Sequence, residues 1–186
     1  MTGGYLIRVI DCKICLGNFY ICDNKYNLAY SIYESAFEMA TQIIDPTNIQ
    51  LKCKINMAYA LIFMNQFNKS IEILKVITDK NKDYPNIALN LCAAYFFEND
   101  KEKFKITVKE IYYKKCNKSQ KTLADLFYKI VNETSCNEIE IWYKKLLEND
   151  KNCEKQLLLK ILISYASRCD EKDSCIYFQQ QFLRFE

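Results

Sequence analysis

Two stretches of this chain share one pattern of side chains and decide its fold: residues 54–77, KINMAYALIFMNQFNKSIEILKVI, and residues 88–111, ALNLCAAYFFENDKEKFKITVKEI. They align without gaps, with Asn56 opposite Asn90 and Met57 opposite Leu91. Each has small and large apolar residues at helical spacing, a polar break, and a second helical pattern. The interval from Asn56 to Asn90 is the period of this repeat, and it predicts one helical hairpin per copy. A single hairpin needs a neighbouring hairpin to cover its apolar stripe.

A further copy lies upstream, in residues 14–40, ICLGNFYICDNKYNLAYSIYESAFEMA. Its polar break at Asp23-Asn24 predicts the turn between two helices. Gly17 and Ala29 are predicted to be the small pair at which the two backbones approach each other, since close helix packing needs small side chains.

The copy at residues 14–40 is separated from the copy at 54–77 by more residues than separate the copies at 54–77 and 88–111. The interval from Leu16 to the equivalent Met57 exceeds the interval from Met57 to Leu91 by seven positions. Seven residues are about two helical turns, so we expect the second helix of the first hairpin to extend through Ile44 before Pro46 stops it.

Beyond residue 117 the repeat fades, but apolar residues still recur at helical spacing. This predicts four more helices, the first of them capped by Ser119. The chain has only three glycines and two prolines among 186 residues, and half of its residues are apolar. We therefore predict an all-α protein that forms a single domain over residues 1–186, with three recognisable repeats in 1–116 and divergent helical hairpins in 117–186.

The first copy resembles the tetratricopeptide repeat, whose signature of small and large residues is matched by Leu16, Gly17, Tyr20, Ala29, Tyr33 and Ala36. This resemblance implies a right-handed α-solenoid of about five antiparallel helix pairs. It also implies that the first helix of each pair lines a concave groove. The groove residues that follow from the alignment are Ile14, Asn18, Ile55, Tyr59, Ile62, Phe63, Leu89, Ala93, Phe96 and Phe97.

The same alignment divides the aromatic stretch at residues 95–97. It places Leu91, Cys92 and Tyr95 in the packing between helices and turns Phe96 and Phe97 toward the groove. An apolar, aromatic groove is suited to an apolar helix or extended segment of a partner protein. The expected function is therefore that of a non-enzymatic protein–protein interaction scaffold or adaptor, a subunit of a larger assembly.

Two stretches, AYSIYESAFEMA at 29–40 and DKNKDYPNIALNL at 79–91, are similar to helical repeats of vesicle-coat subunits such as the epsilon subunit of coatomer, and of tethering and intraflagellar-transport complexes. This likeness suggests intracellular trafficking. Within the repeat family, an alternative is a co-chaperone that binds an acidic C-terminal peptide. Asn18 and Asn56 match its clamp, but Ile14, Asn86 and Asn90 stand where basic residues belong.

Composition argues against most other functions. The chain has no histidine and no glycine-rich phosphate loop, so we expect neither an enzyme nor a bound cofactor or metal. Three arginines and a net charge of +3 argue against nucleic acid as a partner. No apolar run is long enough to span a membrane, and no signal peptide is evident, which predicts a cytoplasmic protein with reduced cysteines. Cys12 and Cys15 form a lone C-x-x-C and leave a cysteine-based metal or redox protein as a further alternative.

Overall fold

The computed structural model describes residues 3–43, 47–78, 81, 84–112, 116–149 and 155–183. These residues form ten α-helices, and no strand occurs among them, which confirms the all-α prediction. The four helices expected after residue 117 are all present. By its internal contacts the chain divides into two compact units, residues 1–82 and 83–186.

The first unit contains four helices: α1 (Gly3–Cys22), α2 (Tyr26–Ala40), α3 (Thr47–Phe63) and α4 (Phe67–Thr78). Each of them packs against the next. The core between α1, α2 and α3 is built from branched and aromatic residues that interleave with small ones: Ile10, Ile14, Ile21, Ala29, Tyr33, Ala36, Ala40, Cys53, Met57 and Ala60.

The second unit contains six helices: α5 (Pro85–Glu98), α6 (Lys101–Tyr112), α7 (Lys118–Val131), α8 (Cys136–Asn149), α9 (Lys155–Arg168) and α10 (Lys172–Leu183). Helix α5 packs against α6, α6 against α7, and α10 against both α8 and α9. In addition, α5, α7 and α9 all contact one another. The first helices of three successive hairpins therefore meet in one cluster within this unit.

One type of turn follows every odd-numbered helix. Each turn has one residue with a left-handed backbone, at φ between 54° and 63°. The amide of this residue donates to the carbonyl three residues earlier, and the next amide donates to the carbonyl five residues earlier. These two bonds satisfy carbonyls that the end of a helix would leave without partners. The left-handed residues are Asn24, Asn65, Asn99, Glu133 and Asp170. The turn predicted at Asp23-Asn24 is thus confirmed.

Gly17 lies against α2, but the atoms nearest to its Cβ position do not belong to the predicted Ala29. A Cβ atom built on Gly17 would meet the ring of Tyr33, 2.7 Å from Cζ and 2.8 Å from Cδ1. Tyr33 is buried, and its hydroxyl donates to Oδ1 of Asn18 at 2.7 Å. The absence of a side chain at Gly17 therefore makes room for an aromatic ring, not for a second small residue.

The seven extra residues of the first repeat are divided between two helices, so the prediction that α2 extends through Ile44 was wrong. Helix α2 ends at Ala40 and has 15 residues against 12 in α4. Helix α3 has ten residues before Met57, whereas α5 has six before the equivalent Leu91. Three extra residues thus lengthen α2 and four lengthen the start of α3. Pro46, expected to stop the helix, lies outside the described residues.

Helix α7 begins at a different cap from the one predicted. Its N-cap is Asn117, two residues before Ser119. The Asn117 side chain accepts from the Gln120 amide at 2.9 Å, and the Gln120 side chain accepts from the Asn117 amide at 2.8 Å. This reciprocal arrangement satisfies two donors at once. It favours Asn117 because glutamine stands three residues after it and not three residues after Ser119.

We predict that Gly17→Ala destabilises the protein by about 1–2 kcal/mol. The added methyl group would overlap the Tyr33 ring, and overpacking of this kind costs about 1–3 kcal/mol, which outweighs the gain in helix propensity of about 1 kcal/mol. Urea denaturation followed by circular dichroism measures the change. Gly4→Ala, in the same helix, is the matched control because its Cβ would meet no atom within 4 Å. An equal effect of both substitutions would contradict the packing described for Gly17.

Candidate functional site

The predicted groove residues of the first unit are mostly packed inside it. Four are buried, namely Ile14, Ile55, Ile62 and Phe63, whereas Asn18 is exposed and Tyr59 is partly exposed. The ring of Phe63 lies 4.9 Å from that of Tyr26 in a stacked arrangement and 5.1 Å from that of Tyr59, edge to face. Phe63 thus joins α3 to the start of α2.

Helix α9 contacts two of the predicted groove residues of the second unit, Phe96 and Phe97. Leu89, Ala93 and Phe96 are buried, with Phe96 only 3% exposed, and Phe97 is partly exposed. The Nζ atom of Lys160 lies 5.2 Å from the centre of the Phe97 ring. Burial lowers the pKa of Lys160 to about 8. The face of α5 that was expected to meet a partner therefore meets a helix of the same chain.

Arg168, at the end of α9, links α9 to the C-terminal end of α5. Its guanidinium carbon lies 4.3 Å from the centre of the Phe96 ring, and its Nη2 atom donates to the Phe96 carbonyl at 2.8 Å. Its Nη1 atom lies 3.4 Å from Oδ1 of Asn99, the left-handed residue after α5. A cation at the C-terminal end of a helix is favourable because the last carbonyls carry partial negative charge. Partial burial lowers the pKa of Arg168, which remains charged at neutral pH.

The ten predicted groove residues differ in their exposure to solvent. Seven of them are packing residues here, and solvent reaches only Asn18, Tyr59 and Phe97. That these residues bind a partner stays a prediction. The inward packing expected of Leu91, Cys92 and Tyr95 is confirmed, since all three are buried.

A cleft of about 760 Å³ lies in the second unit, beside the turns that follow α5, α7 and α9. Aromatic and aliphatic side chains form part of its wall, and charged residues such as Lys101, Glu102, Glu133 and Glu171 also line it. Its polar wall includes two phenols, a guanidinium and two thiols. The lining residues that matter for its chemistry are Tyr95, Phe96, Phe104, Ile130, Cys136, Tyr165, Arg168 and Cys169.

The two thiols and the phenol of Tyr165 form a cluster in this cleft. The hydroxyl of Tyr165 donates to the Thr134 carbonyl at 3.0 Å. Burial, a hydrogen bond with the Cys169 thiol and the nearby carboxylate of Glu171 raise the pKa of Cys136 to about 12. Burial, followed by the interaction with Cys169, also raises the pKa of Tyr165 well above its usual value. Both groups therefore stay protonated at neutral pH.

Helix α1 presents a second surface, on the side facing away from its core. Tyr5, Leu16 and Phe19 are 61%, 42% and 62% exposed, and Cys12 is exposed among them. At 100° per residue these four positions lie within about 60° of one another around the helix axis. We call this set of Tyr5, Cys12, Leu16 and Phe19 the α1 stripe. Neither α1 nor any other described helix is both long and apolar enough to cross a membrane.

The cysteines singled out in the sequence are not the ones that the structure brings into one cluster. Cys12 and Cys15 are both exposed on α1, and among the described residues no three histidine, cysteine or acidic side chains are grouped to hold a metal ion. Cys136 and Cys169 come from separate helical hairpins, and each lies beside a left-handed turn residue, Glu133 or Asp170. Aligning the turns of the divergent hairpins is the one sequence signal that could have placed these two thiols at the same end of the unit.

No family model matches this chain, and no curated protein is significantly similar to it. The likeness to tetratricopeptide repeats consequently depends on the residues of the chain itself and on its recurring turns.

We predict that Phe96→Ala destabilises the second unit by about 3–5 kcal/mol, since it empties a buried site beneath Arg168. Phe97→Ala is the matched control. Its ring is partly exposed and packs against Phe96 and Lys160, so its removal should cost about 1–2 kcal/mol. Urea denaturation of the full chain measures both losses. A larger loss for Phe97→Ala would show that α9 does not cover Phe96 as described.

Proposed function

We propose that this protein is a non-enzymatic protein–protein interaction module and a subunit of a larger assembly. Its helices form a right-handed, tetratricopeptide-like solenoid of about five antiparallel pairs. The partner is a protein that contributes an apolar helix, and the α1 stripe is the surface that receives this helix. The single observation that carries the proposal is the exposure of Tyr5, Leu16 and Phe19 along one side of α1.

The recurring turn supports the repeat architecture. The same left-handed residue and the same two backbone hydrogen bonds follow α1, α3, α5, α7 and α9. The interval from Asn65 to Asn99 equals the interval from Asn99 to Glu133, and the next one, to Asp170, is only three positions longer. The period thus persists where the side-chain signature has faded. A repeated hairpin of this kind builds extended surfaces that bind other proteins.

The α1 stripe supports the binding role because α1 is apolar on opposite sides. One side, with Ile10, Ile14 and Ile21, is buried in the core of the first unit. The other side is the stripe, which solvent reaches. The side of a surface helix that faces away from the core is normally polar. The exposed stripe therefore favours a covering partner.

The shape and charge of the stripe indicate the kind of partner. Its members are spaced along most of the length of α1, and an amphipathic helix lying alongside would place side chains three and four residues apart between them. Arg8 is exposed at the edge of the stripe. A partner helix with an acidic residue beside its apolar face would pair with this cation.

The proposal predicts that Leu16→Glu with Phe19→Glu weakens partner binding at least about tenfold, because it places two charges in an apolar contact. Tagged wild-type and variant proteins are compared by quantitative affinity purification, and each partner lost from the variant is purified and titrated against both proteins. Val76→Glu is the matched control, since Val76 is 68% exposed on α4 of the same unit. Circular dichroism verifies that each variant is folded. Unchanged partners and affinities for the double variant would refute the assignment to the α1 stripe.

A further inference from the structure

Two cysteines from different helices lie together in the cleft of the second unit. Cys136 is the first residue of α8 and is 3% exposed, whereas Cys169 directly follows α9 and is exposed to solvent. Both line the cleft, and they lie close enough for Cys169 to contribute to the raised pKa of Cys136. In the sequence the whole of α8 and α9 lies between them, so a bond between them would join two separate parts of the fold.

The backbone around the two thiols is already fastened by Tyr165. Its hydroxyl donates to the Thr134 carbonyl at 3.0 Å, and Thr134 is two residues before Cys136. Tyr165 and Cys169 are four residues apart at the end of α9 and therefore project from the same side. This bond holds the end of α9 against the turn that precedes α8, which keeps the second thiol beside the first.

We propose that Cys136 and Cys169 form a reversible disulfide when the protein meets hydrogen peroxide or an organic hydroperoxide. The bond would fasten the turn after α7 to the end of α9 along one wall of the cleft. The pair is thus a redox modification site, and it is independent of the α1 stripe.

The disulfide forms in two steps, and Cys169 reacts first because it is exposed whereas Cys136 is buried. The Cys169 thiolate attacks one peroxide oxygen, the O–O bond breaks, and the leaving hydroxide takes a proton to form water, which leaves a sulfenic acid on Cys169. The Cys136 sulfur then attacks the Cys169 sulfur. The S–O bond breaks, and hydroxide leaves with the Cys136 proton as a second water. Two thiols and one hydrogen peroxide thus give one disulfide and two waters.

The surroundings of Cys136 set the rate of the second step. A helix N-terminus usually favours the thiolate, but burial and the nearby Glu171 carboxylate act in the opposite sense at Cys136 and keep it protonated. The carboxylate of Glu133 also lies near the cluster and contributes to the raised pKa of Tyr165. Burial keeps Cys136 away from peroxide in bulk solvent. Its raised pKa leaves only a small thiolate fraction to attack Cys169 once that residue is oxidised, so the second step is the slower one.

Peptide mapping tests the proposal directly. The full, reduced chain is treated with a stoichiometric amount of hydrogen peroxide, remaining thiols are alkylated, and the protein is digested with trypsin without reduction. Cleavage at lysine and arginine places Cys136 in peptide 130–144 and Cys169 in peptide 169–172, each with a single cysteine. We expect these two peptides to be linked in most molecules, and dithiothreitol to separate them.

Cysteine substitutions identify which two thiols form the disulfide. Cys169→Ser should abolish the link and leave Cys136 alkylated, whereas Cys12→Ser with Cys15→Ser should leave the link unchanged. The proposal is overturned if Cys136 stays a thiol in the wild-type protein while Cys12 and Cys15 are oxidised. It is equally overturned if Cys136 is linked mainly to a different cysteine.

A thermal measurement shows whether the bond belongs to the folded protein. A disulfide that closes a loop of this length should raise the melting temperature of the oxidised protein over the reduced protein by on the order of 10 °C. A lower melting temperature for the oxidised protein would mean that the bond forms only at the expense of the native packing, which would overturn the proposal.

Discussion

The structure depends on one short turn, in which a left-handed residue and two backbone hydrogen bonds reverse the chain after each odd-numbered helix. The turn ends one helix and starts the next within a few residues, and α1 packs against α2, α3 against α4, α5 against α6 and α9 against α10. Close helices leave little room between their axes. This constraint explains why Gly17 has no side chain where the Tyr33 ring crosses it.

Within the second unit, the same constraint gathers three helix ends in one place. Helices α5, α7 and α9 contact one another, and each is followed by the left-handed turn. Several of their apolar residues, among them Leu89, Ala93 and Phe96 of α5, are consequently buried. Arg168 reinforces this arrangement, because its guanidinium packs on Phe96 and bonds to the Phe96 carbonyl near the end of α5. The cleft remains at the side of this cluster, where the turns diverge.

The cysteines of this chain have different environments and therefore different capabilities. Cys53 and Cys92 are fully buried in apolar surroundings and fill space as small apolar residues do. Burial raises the pKa of Cys53 to about 11, which keeps its thiol unreactive. Cys136 and Cys169 differ because one is buried and the other is exposed, and both line the same cleft.

The sequence alone determined the helices and the first turn, since the spacing of small and large apolar residues and the polar break at Asp23-Asn24 are local features. It also identified the inward packing of Leu91, Cys92 and Tyr95. It did not determine which face of α5 would remain open, because the covering residues, Lys160 and Arg168, come from a helix whose repeat signature has faded. Only the tertiary structure decided that Phe96 is covered, that Phe19 is exposed, and that Cys136 meets Cys169. Each of these outcomes depends on contacts between residues distant in sequence, which no local pattern encodes.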